Sequence, residues 1–167
     1  MELSIKSFVL LGAVILTGLS AGLFYAWSVS VIPGTQNLEH SNYLQTMQSI
    51  NRAILNPRFF AVFFGSIIFL SIGSIYEFNL NKTAFWLILA ASIFYMVGTI
   101  GVTGLGNVPL NEQLDALKLE ELSSSKLAEF REYYEYHWNR WHLVRTICTV
   151  ISFILAVLSL FTQIKNV

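Results

Sequence analysis

The sequence predicts an all-α protein, a four-transmembrane-helix bundle with short extramembrane helices in the first and third connections. Charged residues make up 12% of the 167 residues and hydrophobic residues 54%, whereas a soluble domain has about 25% charged residues. Four uncharged stretches carry this excess, and each holds a core of roughly 18 or more residues, enough for a helix to cross about 30 Å of hydrocarbon. The alternating strands of a membrane β-barrel are absent, so we expect helices that satisfy their own backbone polar groups.

The four predicted spans lie at about residues 7–32, 58–78, 84–106 and 142–163 of a single integral membrane domain, residues 1–167. The first stretch is longer than the roughly 7–15-residue core of a signal peptide, so we expect a retained helix. Four crossings place both termini on the same side of a plasma or inner membrane. The distribution of lysines and arginines leaves open which side that is, because some of the arginines can face the bundle.

The two longer connections lie on the other side of the membrane, and each is predicted to contain a helix. Residues 43–52 contain neither Gly nor Pro, and Asn56-Pro57 ends this first helix. Residues 107–111 are predicted to form a turn that ends the third span and opens a second helix at its proline. Three serines at 123–125 then cap a new helix that continues into the fourth span.

Two of the spans carry small residues at helical spacing. Gly18 and Gly22 form a Gly-x-x-x-Gly pair in the first span, and Gly98, Gly101 and Gly104 recur in the third. Small residues let helix backbones approach closely in lipid, so this pattern favours a tight seam. The seam can form within one chain or between chains of a homo-oligomer. The alternative is that the glycines leave room for a flat ligand.

A polar stripe precedes and enters the fourth span. Five residues at steps of four, three, four and three share one helix face, namely Arg131, Glu135, Trp138, His142 and Arg145. Charges beside a span usually face a protein interior or an aqueous cavity. His142 is therefore a candidate general base, and Arg145 a candidate partner for an oxyanion. The alternative is an interfacial anchor, in which Trp lies at headgroup depth and Arg extends to lipid phosphates.

Amide side chains lie on the same side of the membrane as this stripe. Gln48 and Asn51 come from the first connection, and Asn107 and Asn111 flank the proline of the third span. Together with His142 they are predicted to line one polar pocket at the mouth of the bundle. The partners expected from the composition are the lipid bilayer and a lipophilic small molecule. The formal net charge is zero and there is no basic run, so no nucleic-acid partner is expected.

Metal and haem sites are disfavoured by the positions of the histidines. His137 and His142 are five residues apart and lie on different helix faces, and His40 stands alone in a connection. None of the histidines is in mid-span, where a haem held by two histidines would need them. A metal site that combines His142 with Glu135 and carboxylates of the connections stays open as an alternative.

Three segments of the sequence resemble one known family. They are Met-Gln-Ser-Ile-Asn-Arg at 47–52 with Asn56-Pro57, Gly-Asn-Val-Pro-Leu-Asn at 106–111, and Trp-Asn-Arg-Trp-His-Leu-Val-Arg-Thr at 138–146. In combination these motifs are similar to those of the anthrone-oxygenase-like family of small four-helix membrane proteins, and the resemblance extends over nearly the whole chain. Many relatives have Asn at the position of His142.

The resemblance implies oxidation of an anthrone to an anthraquinone by molecular oxygen, without metal, flavin or other cofactor. In this sequence it makes His142 the base and Arg145 the phenolate or oxyanion partner. Substrate-binding roles then fall to Gln48, Asn51, Asn107, Asn111, Trp138 and Trp141. The alternative function is a non-catalytic membrane protein that binds a lipid or a partner subunit through the same pocket.

Overall fold

The computed structural model describes residues 5–164, and this part of the chain is helical with no strand. Four of its helices are long and apolar enough to cross a membrane. We label the helices α1 (Ile5–Gln36), α2 (His40–Ala53), α3 (Pro57–Glu77), α4 (Lys82–Asp115) and α5 (Ser124–Ile164). All but α2 belong to the long set, which agrees with the four predicted spans.

The four long helices form a bundle in which each packs against two neighbours. α1 lies against α3 and α5, and α4 lies against the same two helices from the other side. Large apolar side chains such as Phe8, Phe64, Val97 and Phe161 are exposed on the outer faces. Contact of such apolar faces with lipid hydrocarbon is not unfavourable, whereas their contact with water is. The inner core is a buried cluster of mostly small or branched residues: Leu10, Ala13, Ile67, Leu70, Ile88, Ala91, Tyr95 and Ala156.

Proline does not end either of the helices that contain it near the predicted pocket. The predicted turn at 107–111 is wrong, because α4 continues through Pro109 to Asp115. A π-helical segment, Thr103–Asn107, comes just before this proline, and the N–H of Val108 bonds to the carbonyl of Thr103. A proline ring clashes with the carbonyl four residues earlier in a regular α-helix, and the wider π-turn relieves that clash.

The same arrangement occurs in α1. A π-helical segment, Trp27–Val31, precedes Pro33, and α1 continues to Gln36. The first span is therefore part of a longer helix than the sequence suggested. Wide turns of this kind often coincide with functional sites, because they turn extra side chains toward one face.

The predicted glycine seams are formed in part. A Cβ on Gly18 would lie 3.0 Å from the ring of Phe153, and one on Gly98 would overlap the side chain of Cys148. These two positions therefore need glycine for close packing against α5. Gly22 and Gly104 differ, since no atom lies within 4 Å of the position that a Cβ would occupy.

The connections close one end of the bundle. α2 covers the predicted segment 43–52 and packs over the ends of α4 and α5. After α4 the chain makes only a short 3-10 turn, Leu119–Glu121, before Ser123 begins the next helix by accepting a hydrogen bond from the N–H of Lys126 at 3.4 Å. The third connection thus holds no independent α-helix, since its predicted helix is the end of α4. The buried contacts at this end are made by Tyr43, Leu44, Met47, Leu110, Leu114, Leu119, Leu127, Tyr134 and Trp138.

Candidate functional site

The polar stripe of α5 faces the inside of the bundle. The exposed fractions are 2% for Trp138, 1% for His142 and 9% for both Arg131 and Arg145. Glu135 is partly buried and accepts a hydrogen bond from Arg131 Nε at 3.0 Å. An interfacial anchor would extend these groups outward, whereas the observed burial is the arrangement that an interior polar site requires.

The imidazole of His142 is held by hydrogen bonds at both nitrogens. Arg145 lies with Nε 3.2 Å and Nη2 3.0 Å from His142 Nδ1. Because a guanidinium only donates, Nδ1 accepts and carries no proton in this arrangement. The proton of the neutral ring is then on Nε2, which lies 2.9 Å from Ser28 Oγ. The Ser28 hydroxyl in turn donates to the carbonyl of Phe24 at 3.0 Å.

Aromatic rings enclose this pair. The Trp138 ring stacks on the His142 ring with centroids 5.1 Å apart and an interplanar angle of 10°. Phe24 meets the imidazole edge-on at 6.1 Å. The guanidinium carbon of Arg145 lies 4.6 Å from the Phe24 centroid and 5.1 Å from the Trp138 centroid. A cation is attracted to aromatic faces, so these rings partly offset the cost of burying Arg145.

Arg145 has no carboxylate partner among residues 5–164. The ion pairs in that range join Lys6 to Glu77, Arg52 to Asp115, Lys118 to Glu121 and Arg131 to Glu135. The remaining contact of the guanidinium is a long one, 3.5 Å from Nη1 to Thr103 Oγ1. A buried charge without a counter-ion is unfavourable, particularly within a bilayer. The site is therefore complementary to an oxygen that carries negative charge.

The amides predicted for the pocket divide into two groups. Asn107 Nδ2 donates to the backbone carbonyl of Trp138 at 3.2 Å, and its buried Oδ1 has no hydrogen-bond partner among residues 5–164. The other three bond to the protein itself. Asn111 Oδ1 accepts from Trp138 Nε1 at 2.8 Å, Asn51 Nδ2 donates to Tyr134 at 3.0 Å, and Gln48 Nε2 donates to the carbonyls of Leu114 and Leu117 at 2.8 and 3.1 Å.

Trp141 lies apart from the other predicted residues. Its side chain is 42% exposed, and it packs on the outer side of the helix pair against Gly106, where an added Cβ would lie 2.6 Å from the indole. The structure thus brings Trp138, His142 and Arg145 into mutual contact. Asn107 bonds to the backbone of Trp138, Asn111 bonds to its indole, and Asn51 is connected to Asn111 through the Tyr134 hydroxyl.

A comparison with known protein families identifies the family to which this chain belongs. The sequence profile of the anthrone oxygenase family matches residues 57–155, which is more than half of the chain. The chain belongs to the anthrone oxygenase family. The matched region contains α3, α4 and most of α5, but it excludes Gln48 and Asn51, so it is narrower than the resemblance over nearly the whole chain. No curated protein and no solved structure matches the chain.

Five residues at the site of this anthrone oxygenase family member were not found from the sequence. Ser28 and Trp27 lie in the π-segment of α1, and Thr103 lies in that of α4, so the wide turns bring them toward α5. Nothing in the local sequence marks a π-turn except the proline that follows it. Phe24 lies just before the α1 π-segment. Tyr134 could have been found, because it stands three residues after Arg131 and four before Trp138 on the same face.

The site is closed in this structure. A narrow crevice beside Trp138 leaves no room even for a water-sized molecule, whereas ligand pockets begin at roughly 300 Å³. Its walls include Trp27 and Met47 on one side and Glu135 and Asn139 on the other. A ligand with several fused rings therefore needs the surrounding helices or side chains to move apart.

The side chains that could bind a metal ion are not grouped into a metal site in the part of the chain that is described. Within residues 5–164, no three His, Cys, Asp or Glu side chains are grouped closely enough to hold a metal ion. Glu135, the acidic partner considered for His142, is instead paired with Arg131.

Proposed function

We propose that this chain is a membrane-embedded, cofactor-independent oxygenase that acts on a lipophilic aromatic substrate of the anthrone or quinol type. The observation that carries the proposal is the buried pair of Arg145 and His142. It combines a cation without a carboxylate partner among residues 5–164 and an imidazole whose Nδ1 carries no proton. Membership of the anthrone oxygenase family supports the same chemistry.

The first step is proton removal. The ring carbonyl or phenol oxygen of the substrate takes over donors of Arg145, which releases Nδ1 of His142 from its hydrogen bond. Nδ1 then accepts a proton from the activated methylene group, and the resulting carbanion is delocalised onto the oxygen held by Arg145. Ser28 continues to accept from Nε2, so it keeps the ring oriented while the imidazole carries the positive charge.

The second step is oxygen insertion, which balances without a further reductant. The carbanion transfers an electron to molecular oxygen, and the two radicals combine through a new C–O bond to give a peroxide anion, which takes the proton back from the His142 imidazolium and becomes a hydroperoxide. Removal of the second C–H proton by Nδ1 then forms the C=O bond and breaks the O–O bond, and the hydroxide that leaves takes up that proton as water. The overall change converts one CH₂ and one O₂ into one C=O and one H₂O.

Direct substrate positioning falls to Asn107. Its Oδ1 is a buried acceptor without a donor, and such a group is unfavourable unless a ligand or water satisfies it. A hydroxyl group on the substrate would meet that need.

The test is oxygen consumption by the purified protein in lipid nanodiscs with a hydroxylated anthrone, after subtraction of the protein-free rate. We expect turnover in the wild type and its loss in His142→Ala and Arg145→Ala. Arg140→Ala is the matched control, because Arg140 is an exposed arginine of α5 whose bonded partner is Tyr136. Equal rates in the wild type and both site variants would overturn the proposal.

A second function is favoured by the lack of a carboxylate partner for Arg145 within residues 5–164. A non-catalytic protein would use Arg145 to bind an acidic lipid headgroup or a carboxylate of a partner subunit. It predicts no oxygen consumption with any anthrone or quinol, together with a ligand-dependent increase in the melting temperature that Arg145→Ala removes.

A further inference from the structure

Three hydrogen bonds and one ring stack connect α2 to the candidate site. Asn51 Nδ2 donates to the Tyr134 hydroxyl at 3.0 Å, and that hydroxyl donates to Asn111 Oδ1 at 3.1 Å. Trp138 Nε1 donates to the same Asn111 oxygen at 2.8 Å. Trp138 then stacks on His142. This chain of contacts therefore passes through three helices and ends on the imidazole.

We infer that Tyr134 is a positioning residue, which fixes the Trp138 ring as the platform that orients His142. This inference rests on the proposed function, since it gives Tyr134 a role in that reaction. The hydroxyl of Tyr134 uses its proton for Asn111 and accepts from Asn51, and the side chain has no exposed surface. It has no further proton to offer a substrate, so it acts through Trp138.

The geometry explains why the indole plane matters. Nearly parallel stacking at 10° fixes the plane of the His142 ring, and only in that plane do Nδ1 and Nε2 face Arg145 and Ser28 at the same time. The indole N–H has one partner, Asn111 Oδ1, and that oxygen is itself held by Tyr134. Removal of the Tyr134 hydroxyl leaves the Asn111 amide with one donor fewer and frees it to rotate. Trp138 then loses its fixed orientation.

The inference also changes the roles assigned to two amides. Asn51 and Asn111 were predicted to contact the substrate, but the polar atoms described above are engaged within this chain of bonds. They belong to the support of the site. Asn51 lies in α2, outside the matched residues 57–155, whereas Asn111 and Tyr134 lie inside them.

The decisive variant is Tyr134→Phe, which removes the hydroxyl and keeps the ring that stacks on Phe130. Tyr133→Phe is its matched control, because it deletes the same atom from the neighbouring residue, whose side chain is 46% exposed. Asn51→Ala is the second variant, since it removes the donor to Tyr134 from α2 and leaves α5 intact. Melting temperatures establish that each variant is folded.

The first readout needs no turnover. Protein labelled with ¹⁵N-histidine should give the wild-type His142 ring a protonated Nε2 and an unprotonated Nδ1 with well-separated shifts, assigned by the loss of signals in His142→Asn. We expect Tyr134→Phe and Asn51→Ala to move these signals toward an average of the two tautomers, and Tyr133→Phe to leave them in place. Unchanged His142 signals in folded Tyr134→Phe or Asn51→Ala would overturn the inference.

The second readout is kinetic. A positioning role predicts that Tyr134→Phe lowers kcat about tenfold while KM changes by less than about twofold, because the orientation of the base matters most in the transition state. A rise in KM with unchanged kcat would instead make Tyr134 a substrate contact and overturn the inference. If the wild type shows no turnover, the proposed function fails, while the histidine signals still decide whether Tyr134 orients His142.

Discussion

The guanidinium of Arg145 lies 3.0 Å from Nδ1 of His142, three residues earlier on the same helix, and both side chains are at least nine-tenths buried. Neither residue has a carboxylate partner in the described part of the chain. A positively charged donor thus occupies the lone pair that a general base would use. An incoming oxygen that attracts Arg145 frees this lone pair, so substrate binding and activation of the base are linked.

Substitution of His142 by asparagine separates its hydrogen bonding from its basicity. The carbonyl of an Asn can accept from Arg145 and its amide can donate to Ser28, but it cannot take up a proton. We expect His142→Asn to keep a melting temperature close to that of the wild type and to lose oxygen consumption with an anthrone. His142→Ala is the comparison, because it removes both contacts and should lower both quantities. Full turnover in His142→Asn would show that this position is not the base.

Substitution of Arg145 by glutamine tests whether the unpaired charge is retained for function at the expense of stability. Gln can still donate to Nδ1 of His142, but it removes the buried charge. We expect Arg145→Gln to raise the free energy of unfolding by about 1–2 kcal/mol and to abolish turnover. Arg145→Lys is the control, since it keeps the charge and should give no gain in stability. A clear loss of stability in the Gln variant would mean that the charge itself holds the fold together.

The sequence was sufficient for the number of long helices and for the stripe on α5, because hydropathy and helical spacing are local properties. It was not sufficient for the turn at 107–111, where Pro109 is accommodated by a π-turn that leaves no compositional signal. The hydrogen-bond partners of the amides were also beyond it. Asn51 bonds to Tyr134, 83 residues away, and Asn111 bonds to Trp138, 27 residues away, and such pairings depend on how the helices are arranged.

Arg131 joins the two helices that frame the site. Its Nη2 donates to the carbonyl of Gln36, the last residue of α1, and its Nη1 to that of Leu38 just beyond it, and its guanidinium lies 4.4 Å from the Tyr43 ring centroid. Carbonyls at the end of a helix have no partner within that helix, so the two nitrogens of one guanidinium are needed to give each of these carbonyls a hydrogen bond. We expect Arg131→Lys to lower the free energy of unfolding by about 1–3 kcal/mol, measured by denaturant titration in micelles. Arg140→Lys should change it by less than about 0.5 kcal/mol, since Arg140 is exposed. Equal effects would argue against this role of Arg131.

Glu77 and Lys6 form a buried ion pair at the opposite end of the bundle. Lys6 Nζ lies 3.2 Å from Glu77 Oε1, and the Glu77 side chain has no exposed surface. Lys6 is the basic residue paired with Glu77 within residues 5–164, and its charge compensates the buried carboxylate. We expect Lys6→Met to lower the free energy of unfolding by about 2–4 kcal/mol, because it leaves a buried carboxylate without a counter-charge. The double variant Lys6→Met/Glu77→Gln should recover most of this loss, since neither charge then remains. If the two substitutions are simply additive, the pair contributes nothing and Glu77 is stabilised in another way.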